Sequence, residues 1–425
     1  MNNKSLGHVV VTGGCGFLGH HIVKLLGERY PTSRVSVLDL RTSSNRLPHA
    51  TYHDGDITDA GALRALFATQ LAGADVVIHT ASPHAVGVPD EVLRKVNLDG
   101  TRNLLEAARE AGVKAFVYTS SASVVFDGVI ELVNADERYP IVAGEGQPSY
   151  YTTTKVCMGF SVFLFPPSRL FVWRGRGERG ERAIGWCVLL LTNNSTQAWA
   201  ENAVLEANRK DSSDTKKPLL TCAIRPAGIF GEGDVQLLPP MLGAYFRGQS
   251  RFQLGDNTNL FDFTYVANVA HAHLLAAAAL LATHALAPTI PLDTERVDGE
   301  AFFVTNDQPV PFWDFARAVW RTAGPPVPIS KTWVLPKDIM MPVGALLEWA
   351  CWALGRKPNI TRDQVRYSTV RRYYCIDKAK RRLGYRPIVG LGEGVRRGVE
   401  EVLSRDGPEW AWVRGGGQPP AATKA

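Results

Sequence analysis

Short, unbroken apolar runs recur along the first half of the chain, and stretches with helical spacing separate them. Val9-Val10-Val11, Val35 to Leu38, Val76-Val77-Ile78, Ala115 to Val117 and Leu219 to Ile224 show little apolar–polar alternation. Such runs mark strands buried on both faces. Between them, Ile22, Leu25 and Leu26, and later Leu98, Leu104, Leu105 and Ala108, fall on helical stripes. Strand and helix in alternation predict an α/β fold, a doubly wound parallel sheet (Rossmann) with a smaller C-terminal substrate region. The expected strands are Val9–Val11, Val35–Asp39, one ending at Gly55-Asp56, Asp75–Pro83, Ala115–Val125 and Leu219–Pro226, with a helix over Val96–Ala111. From about Gly231 the alternation stops; a strand is expected over Phe261–Val266 and a helix over Asn268–Leu281. The division is residues 1–230 for the sheet, 231–412 for a mixed substrate-binding part with some segments returning to the sheet, and a disordered Gly/Pro/Ala-rich tail over 413–425.

Chemistry enters at the first strand end. Thr12-Gly13-Gly14-Cys15-Gly16-Phe17-Leu18-Gly19 stands between a strand and a helix. Glycines there permit a tight turn and let a pyrophosphate approach the helix N-terminus, where free N–H groups and the dipole meet the anion. Asp39 ends the second strand about 20 residues further on, the position from which an acid accepts both ribose hydroxyls. Its charge repels a 2′-phosphate, which favours NAD; Arg41, two residues on, leaves NADP as the alternative. Asp56 either meets the adenine amino group or caps the helix that starts near Asp59. The small residues around Ala81 leave room for a cofactor.

The fifth strand ends in hydroxyls, Thr119-Ser120-Ser121-Ala122-Ser123, and thirty residues after Ser121 comes Tyr151, with Lys155 four residues beyond it. Tyr and Lys at that spacing share one helix face, and an ammonium beside a phenol favours the phenolate. Such a pair moves a proton to or from an alcohol or carbonyl oxygen. Two fixed residues are a weak signal alone. A cofactor turn, a ribose acid and a hydroxyl on the same strand edge strengthen it.

Composition narrows the partners. Of 425 residues, 45% are hydrophobic and 21% charged, which fits a folded globular chain, and the net charge of +6 is not gathered into a basic stripe, so nucleic acid is not an expected partner. The six Cys form no CxxC pair and no metal spacing and are expected as free thiols; His271 and His273, two apart on a helix, are poor metal ligands, so no metal is expected. The polar start, Met1 to His8, lacks the apolar core of a secretory signal. Met340 to Leu354, strongly apolar with Trp349 and Trp352, is too short to span a bilayer and suits either an interfacial helix or a pocket wall.

The stretches GGCGFLGHHIV from Gly13, VVIHTASP from Val76, KAFVYTSSASVVFD from Lys114, AIRPAGIFGEGDVQLLP from Ala223, LGDNTNLFDFTYVANVAHAHLLAA from Leu254 and RYYCIDKAKRRLGYRP from Arg372 together resemble the 3β-hydroxysteroid dehydrogenase group of the extended short-chain dehydrogenases/reductases. Within that group they are most similar to the branch that oxidises and decarboxylates sterol 4α-carboxylates. The resemblance implies Tyr151, Lys155 and Ser121 as catalytic residues. It implies Gly13, Gly16, Phe17, Leu18, Gly19, Asp39, Asp56, Ile57, Ala81, Tyr151, Lys155 and Pro226 around the dinucleotide. It also implies a sterol substrate, other enzymes of sterol C4 demethylation as partners, and peripheral contact with the cytosolic face of the endoplasmic reticulum membrane; another 3β-hydroxysteroid dehydrogenase, a nucleotide-sugar epimerase or reductase, and an inactive or regulatory NAD-binding protein are the alternatives. The lipid droplet is a second location and the cytoplasm the alternative, and a homodimer is left open.

One segment departs from the family pattern. The helix begun at Tyr151 is expected to continue directly into Ala198-Trp199-Ala200-Glu201-Asn202-Ala203, yet Val156 to Gln197 intervene. These 42 residues hold the apolar run Phe160–Phe165, Pro166-Pro167, the run Arg174 to Arg182 and a second apolar run Cys187–Leu191, with five Arg against two Glu. Neither apolar run reaches the roughly 18–20 residues of a spanning helix. Val156-Cys157 can be encoded by a GTATGT splice donor and Gln197 by a CAG acceptor, so the segment reads as translated intron. Its removal restores YYTTTKAWAENAVLEANRK as one helical pattern.

Overall fold

The computed structural model describes residues 5–83, 88–128, 130–142, 185–209, 218–325, 328–353 and 361–405. Seven parallel strands form the central sheet: β1 (His8–Thr12), β2 (Arg34–Asp39), β3 (Ala50–Asp54), β4 (Val76–His79), β5 (Ala115–Thr119), β6 (Leu220–Pro226) and β7 (Glu300–Val304). Their spatial order is 3-2-1-4-5-6-7. The uninterrupted apolar runs sit at the centre: all of β1, β4 and β6 are buried, whereas the edge strand β3 is largely exposed or half-buried. Helices α1 (Phe17–Arg29), α2 (Ala60–Ala68), α3 (Asp90–Arg94), α4 (Thr101–Glu110) and α5 (Gly185–Glu206) accompany the first six strands, and α6 (Leu238–Phe246) and α7 (Val266–Ala285) follow. Among the described residues α7 alone is long and apolar enough to cross a membrane. It is two-thirds buried and packs on α1 and β5, as a core helix does. The remaining helices are α8 (Phe312–Ala323), α9 (Lys337–Ala353), α10 (Arg362–Thr369) and α11 (Leu391–Arg405).

Sheet and C-terminal part interleave. Glu300–Val304 returns to pair with β6 in register from Glu300–Cys222 to Val304–Pro226. Conversely, Leu132–Ala135 leaves the central sheet for a small second one, where it pairs with Arg372–Tyr374 beside Leu260–Phe261.

Several expected elements have different bounds. The strand expected to reach Val125 stops at Thr119: Ser121 accepts the N–H of Ser123 and caps a 3₁₀ turn over Ala122–Val125, a case of a serine competing with the ladder for backbone groups. The helix expected over Val96–Ala111 is divided by a π-type turn over Lys95–Gly100, in which the Thr101 hydroxyl donates to the Asn97 carbonyl at 2.5 Å. The strand expected over Phe261–Val266 breaks at buried Asp262, whose carboxylate accepts the Tyr374 N–H at 2.8 Å; Phe263–Tyr265 then pairs with Gly228–Phe230. The helix expected over Asn268–Leu281 is α7, longer at both ends. The chain from 185 to 206 is one helix, continuous across the junction between Gln197 and Ala198.

Candidate active site

In an open α/β sheet the ligand crevice lies beyond the strand C-termini where the winding reverses, here between β1 and β4. The glycine turn occupies that point. Gly13 has φ +73°, and a Cβ on it would stand 2.7 Å from the backbone of Ala81 at the end of β4. A Cβ on Gly19 would meet the Gly13 carbonyl oxygen at 2.1 Å. The turn therefore closes only with glycine at both places. Helix α1 begins at Phe17 without a side-chain cap from Gly16, so the first-turn N–H groups of Phe17, Leu18 and Gly19 are free to meet an anion.

Asp39 reaches the turn from β2. One carboxylate oxygen accepts the Cys15 N–H at 3.0 Å and the other faces the Arg41 N–H at 3.4 Å. Burial, helped by the Asp39 charge, pushes the Cys15 thiol up to about 11, so it stays protonated near pH 7. Asp56 is not the helix cap: it accepts the Thr58 N–H at 2.8 Å, while Asp59 caps α2 through the Ala62 N–H. Asp56 is therefore exposed and not built into a helix cap. Ile57 is buried, and its carbonyl accepts from Asn103 at 3.2 Å. Pro226 ends β6, buried beside Val304.

The three serines after β5 divide their roles. Ser120 is buried and donates to Glu201. Ser123 accepts from Arg372 at 2.6 Å, tied to the C-terminal part. Ser121 is half-buried, and among the described residues its oxygen accepts only the Ser123 N–H, at 3.1 Å, leaving its hydroxyl proton to be donated. Of the three, Ser121 is the one able to serve a ligand.

The sequence reading missed the group that fixes α5 against this edge. Glu201 is fully buried on α5 and takes the Nε of Arg225 on both carboxylate oxygens, at 3.1 and 3.0 Å, with a further bond from Nη2 and one from Ser120. The signal was present: an arginine inside the largely apolar strand Leu220–Pro226 demands a buried counter-charge. Also missed was Asn97, which accepts from Ser82 at 3.0 Å and donates to the buried Thr196 of α5 at 3.0 Å. This chain of polar groups joins the β4 loop, the π-type turn and α5.

The nearby histidines are structural. His79 sits between Thr12 and Thr101, and burial pushes it down to about 3. His273, bonded to Thr119 and to the Val269 carbonyl, is pushed down to about 4 by burial. Both stay neutral near pH 7 and carry no proton for catalysis. Among the described residues no group of His, Cys, Asp and Glu is placed to hold a metal ion. Tyr151 and Lys155 lie outside the described residues.

The family model described as the 3-beta hydroxysteroid dehydrogenase/isomerase family matches residues 10–158 and 191–337, leaving 159–190 unmatched. The chain belongs to this family. It is 38% identical over 394 residues, 91% of this chain and 95% of the relative, to sterol-4-alpha-carboxylate 3-dehydrogenase, decarboxylating, of Schizosaccharomyces pombe. The protein of the same name from Homo sapiens is 31% identical, covering 94% of this chain and 89% of its own length. Among solved structures, the dTDP-glucose 4,6-dehydratase DesIV of Streptomyces venezuelae, with NAD and TYD bound, superposes with a TM-score of 0.59 at 20% identity over 94% of this chain and 98% of that one. UDP-glucose 4-epimerase of Thermotoga maritima gives 0.57 at 20% identity over 94% and 99%. At those identities the likeness is one of fold.

Proposed function

We propose that the protein, in the form lacking Val156–Gln197, oxidises the 3β-hydroxyl of a 4α-carboxysterol to the 3-ketone with NAD, and that the 4-carboxyl leaves as carbon dioxide. The observation that carries this reading is the alignment of nearly the whole chain with decarboxylating sterol dehydrogenases of fungi, plants and mammals. The crevice fits a dinucleotide: the glycine turn admits backbone contact that any Cβ would block, the uncapped start of α1 suits a pyrophosphate, and Asp39 stands at the strand end where ribose hydroxyls would donate to it.

NAD, when bound, supplies the acceptor for the hydride leaving C3. The chain supplies the proton chemistry. Tyr151, as phenolate, takes the hydroxyl proton; the Lys155 ammonium lowers the phenol pKa; Ser121 donates a hydrogen bond to the reacting oxygen. The product ketone stands β to the carboxylate. The bond from C4 to the carboxyl then breaks, its electron pair passing toward the C3 oxygen, and protonation at C4 completes the step without a further catalytic residue. A 4α-carboxysterol offered to the chain lacking Val156–Gln197 should give NADH, while UDP-sugars and 3β-hydroxysteroids without a 4-carboxyl should give at least about tenfold less. Equal rates with an unsubstituted steroid would make the chain a general 3β-hydroxysteroid dehydrogenase.

Asp39→Ala should weaken NADH about 10–100-fold, the loss of charge-assisted hydrogen bonds worth about 1.5–3 kcal/mol, and should narrow the preference over NADPH. Fluorescence titration of both cofactors checks this.

A membrane surface is the proposed second partner. Ile339, Val343, Leu346 and Trp349 form an exposed apolar stripe at helical spacing along α9, with Trp352 beside it and exposed Trp333 and Val334 in the strand before it. The opposite face is committed: Gly344 is buried against Arg362, and Glu348 accepts both the backbone N–H and Nε of Arg362 at 2.7 and 2.8 Å. At 17 residues α9 is about 25 Å long, short of a bilayer core. Its two exposed tryptophans suit the headgroup boundary, and a sterol must be taken from a lipid phase. Leu346→Glu with Trp349→Glu should reduce co-sedimentation with phosphatidylcholine–phosphatidylserine vesicles at least about tenfold and leave NADH binding unchanged.

A further inference from the structure

Helix α5 runs against the direction of the strands it covers, as its contacts show. Near its C-terminal end the Thr221 hydroxyl, at the start of β6, donates to the Val204 carbonyl at 2.6 Å. One turn earlier Glu201 meets Arg225, at the end of β6, and Ser120, at the end of β5. Moving further toward the helix N-terminus therefore leads out past the strand ends, into the crevice. Positions 197 and 193 lie one and two turns before Glu201 on the same face, at about 6 and 12 Å along the axis. Ser121 is the neighbour of the serine that Glu201 holds. This is where a proton-transfer pair four residues apart would face the reacting oxygen.

The residues at those two positions are Asn193 and Gln197. Neither can serve as a base or carry a cation. Gln197 also fits its place poorly: its side-chain oxygen is buried and has no hydrogen-bond partner among the described residues. When Val156–Gln197 are removed, each residue from Tyr151 to Lys155 moves 42 places along the helix. Tyr151 takes the place of Asn193, Thr154 that of Thr196 and Lys155 that of Gln197. Thr154 for Thr196 keeps the buried hydroxyl that accepts from Asn97. The family match breaks off after 158, three residues past Lys155, and resumes at 191, seven residues before Ala198.

We infer that the 425-residue chain is a catalytically silenced form, in which Asn193 and Gln197 occupy the helical seat of the Tyr151–Lys155 pair, and that the chain without Val156–Gln197 is the active one. The seat cannot hold both sets, since α5 has one pair of positions there. This rests on the proposed dehydrogenase reading, and the test separates the two.

Stability locates the seat without reference to activity. In the 425-residue chain, Thr196→Val should lower the urea midpoint by removing the acceptor of Asn97, and Thr154→Val should leave it unchanged. In the shortened chain Thr154→Val should lower it. Destabilisation by Thr154→Val in the 425-residue chain would show that the seat is not filled by the segment and would overturn the inference. Activity supplies the second arm: with 4α-carboxysterol and NAD, the 425-residue chain should turn over on the order of 10²–10⁴ times more slowly than the shortened chain. Asn193→Tyr with Gln197→Lys in the 425-residue chain should recover at least tenfold. Turnover by the unsubstituted 425-residue chain within threefold of the shortened one would refute silencing. If the stability pattern holds and neither chain oxidises the sterol, the substrate reading fails and the seat stands.

Discussion

Glu201→Ala is expected to destabilise the fold by about 3–5 kcal/mol, the range for breaking one partner of a buried ion pair. The reason is local and countable. Glu201 is fully buried and Arg225 nearly so, so removing the carboxylate strands a guanidinium that water cannot reach. It also takes the acceptor from Ser120. One Arg225 nitrogen, Nη1, already lacks a hydrogen-bond partner among the described residues, and the guanidinium lies over the Phe303 ring, 5.3 Å from its centroid. Replacing both partners, Glu201→Met with Arg225→Met, should recover most of the loss, because two apolar side chains remove the uncompensated charge. Urea unfolding of the single and double variants checks both statements. The consequence for function follows from position. The pair pins α5 to the ends of β5 and β6, so in the chain lacking Val156–Gln197 a variant that still folds should bind NADH and yet lose turnover.

Tyr151→Phe in the shortened chain should reduce NADH formation on the order of 10²–10⁴-fold, the usual worth of a positioned acid–base group, with NADH affinity changed less than about threefold. The phenyl ring keeps the packing and removes only the proton acceptor. Stopped-flow turnover together with fluorescence titration separates the two effects. An unchanged rate would remove Tyr151 from the mechanism and leave the glycine turn as a cofactor site serving some other base.

The central sheet was legible because its strands are buried on both faces, which leaves runs such as Val9–Val11 and Val76–Ile78 with no polar interruption. The cofactor turn was legible because backbone geometry dictates its residues: Gly13 and Gly19 stand where any Cβ collides. Asp39 was legible from spacing and strand end together. What escaped has a physical reason in each case. The second sheet is made of strands of two to four residues drawn from positions 132, 260, 310 and 372, too short to carry a period. The π-type turn at Lys95–Gly100 obeys a side-chain contact, Thr101 to Asn97, that periodicity does not encode. Glu201 looked like one polar residue on a small-residue helix, and only the packed structure joins it to Arg225, 24 residues away. Strand-end position alone does not separate the three serines; the packed structure does, because Ser120 and Ser123 are committed elsewhere.

The segment Val156–Gln197 shows the same division of labour. Its foreign composition was plain in the sequence, whereas its effect on the site needed the helix register, which places its last residues where the catalytic pair belongs.

The most direct test of the whole account is a ratio. The shortened chain, given NAD and a 3β-hydroxysterol labelled in its 4α-carboxyl, should release one labelled carbon dioxide for each NADH formed, with neither product above background from the 425-residue chain. NADH without labelled carbon dioxide from the shortened chain, or equal release of both products by the two chains, would contradict it.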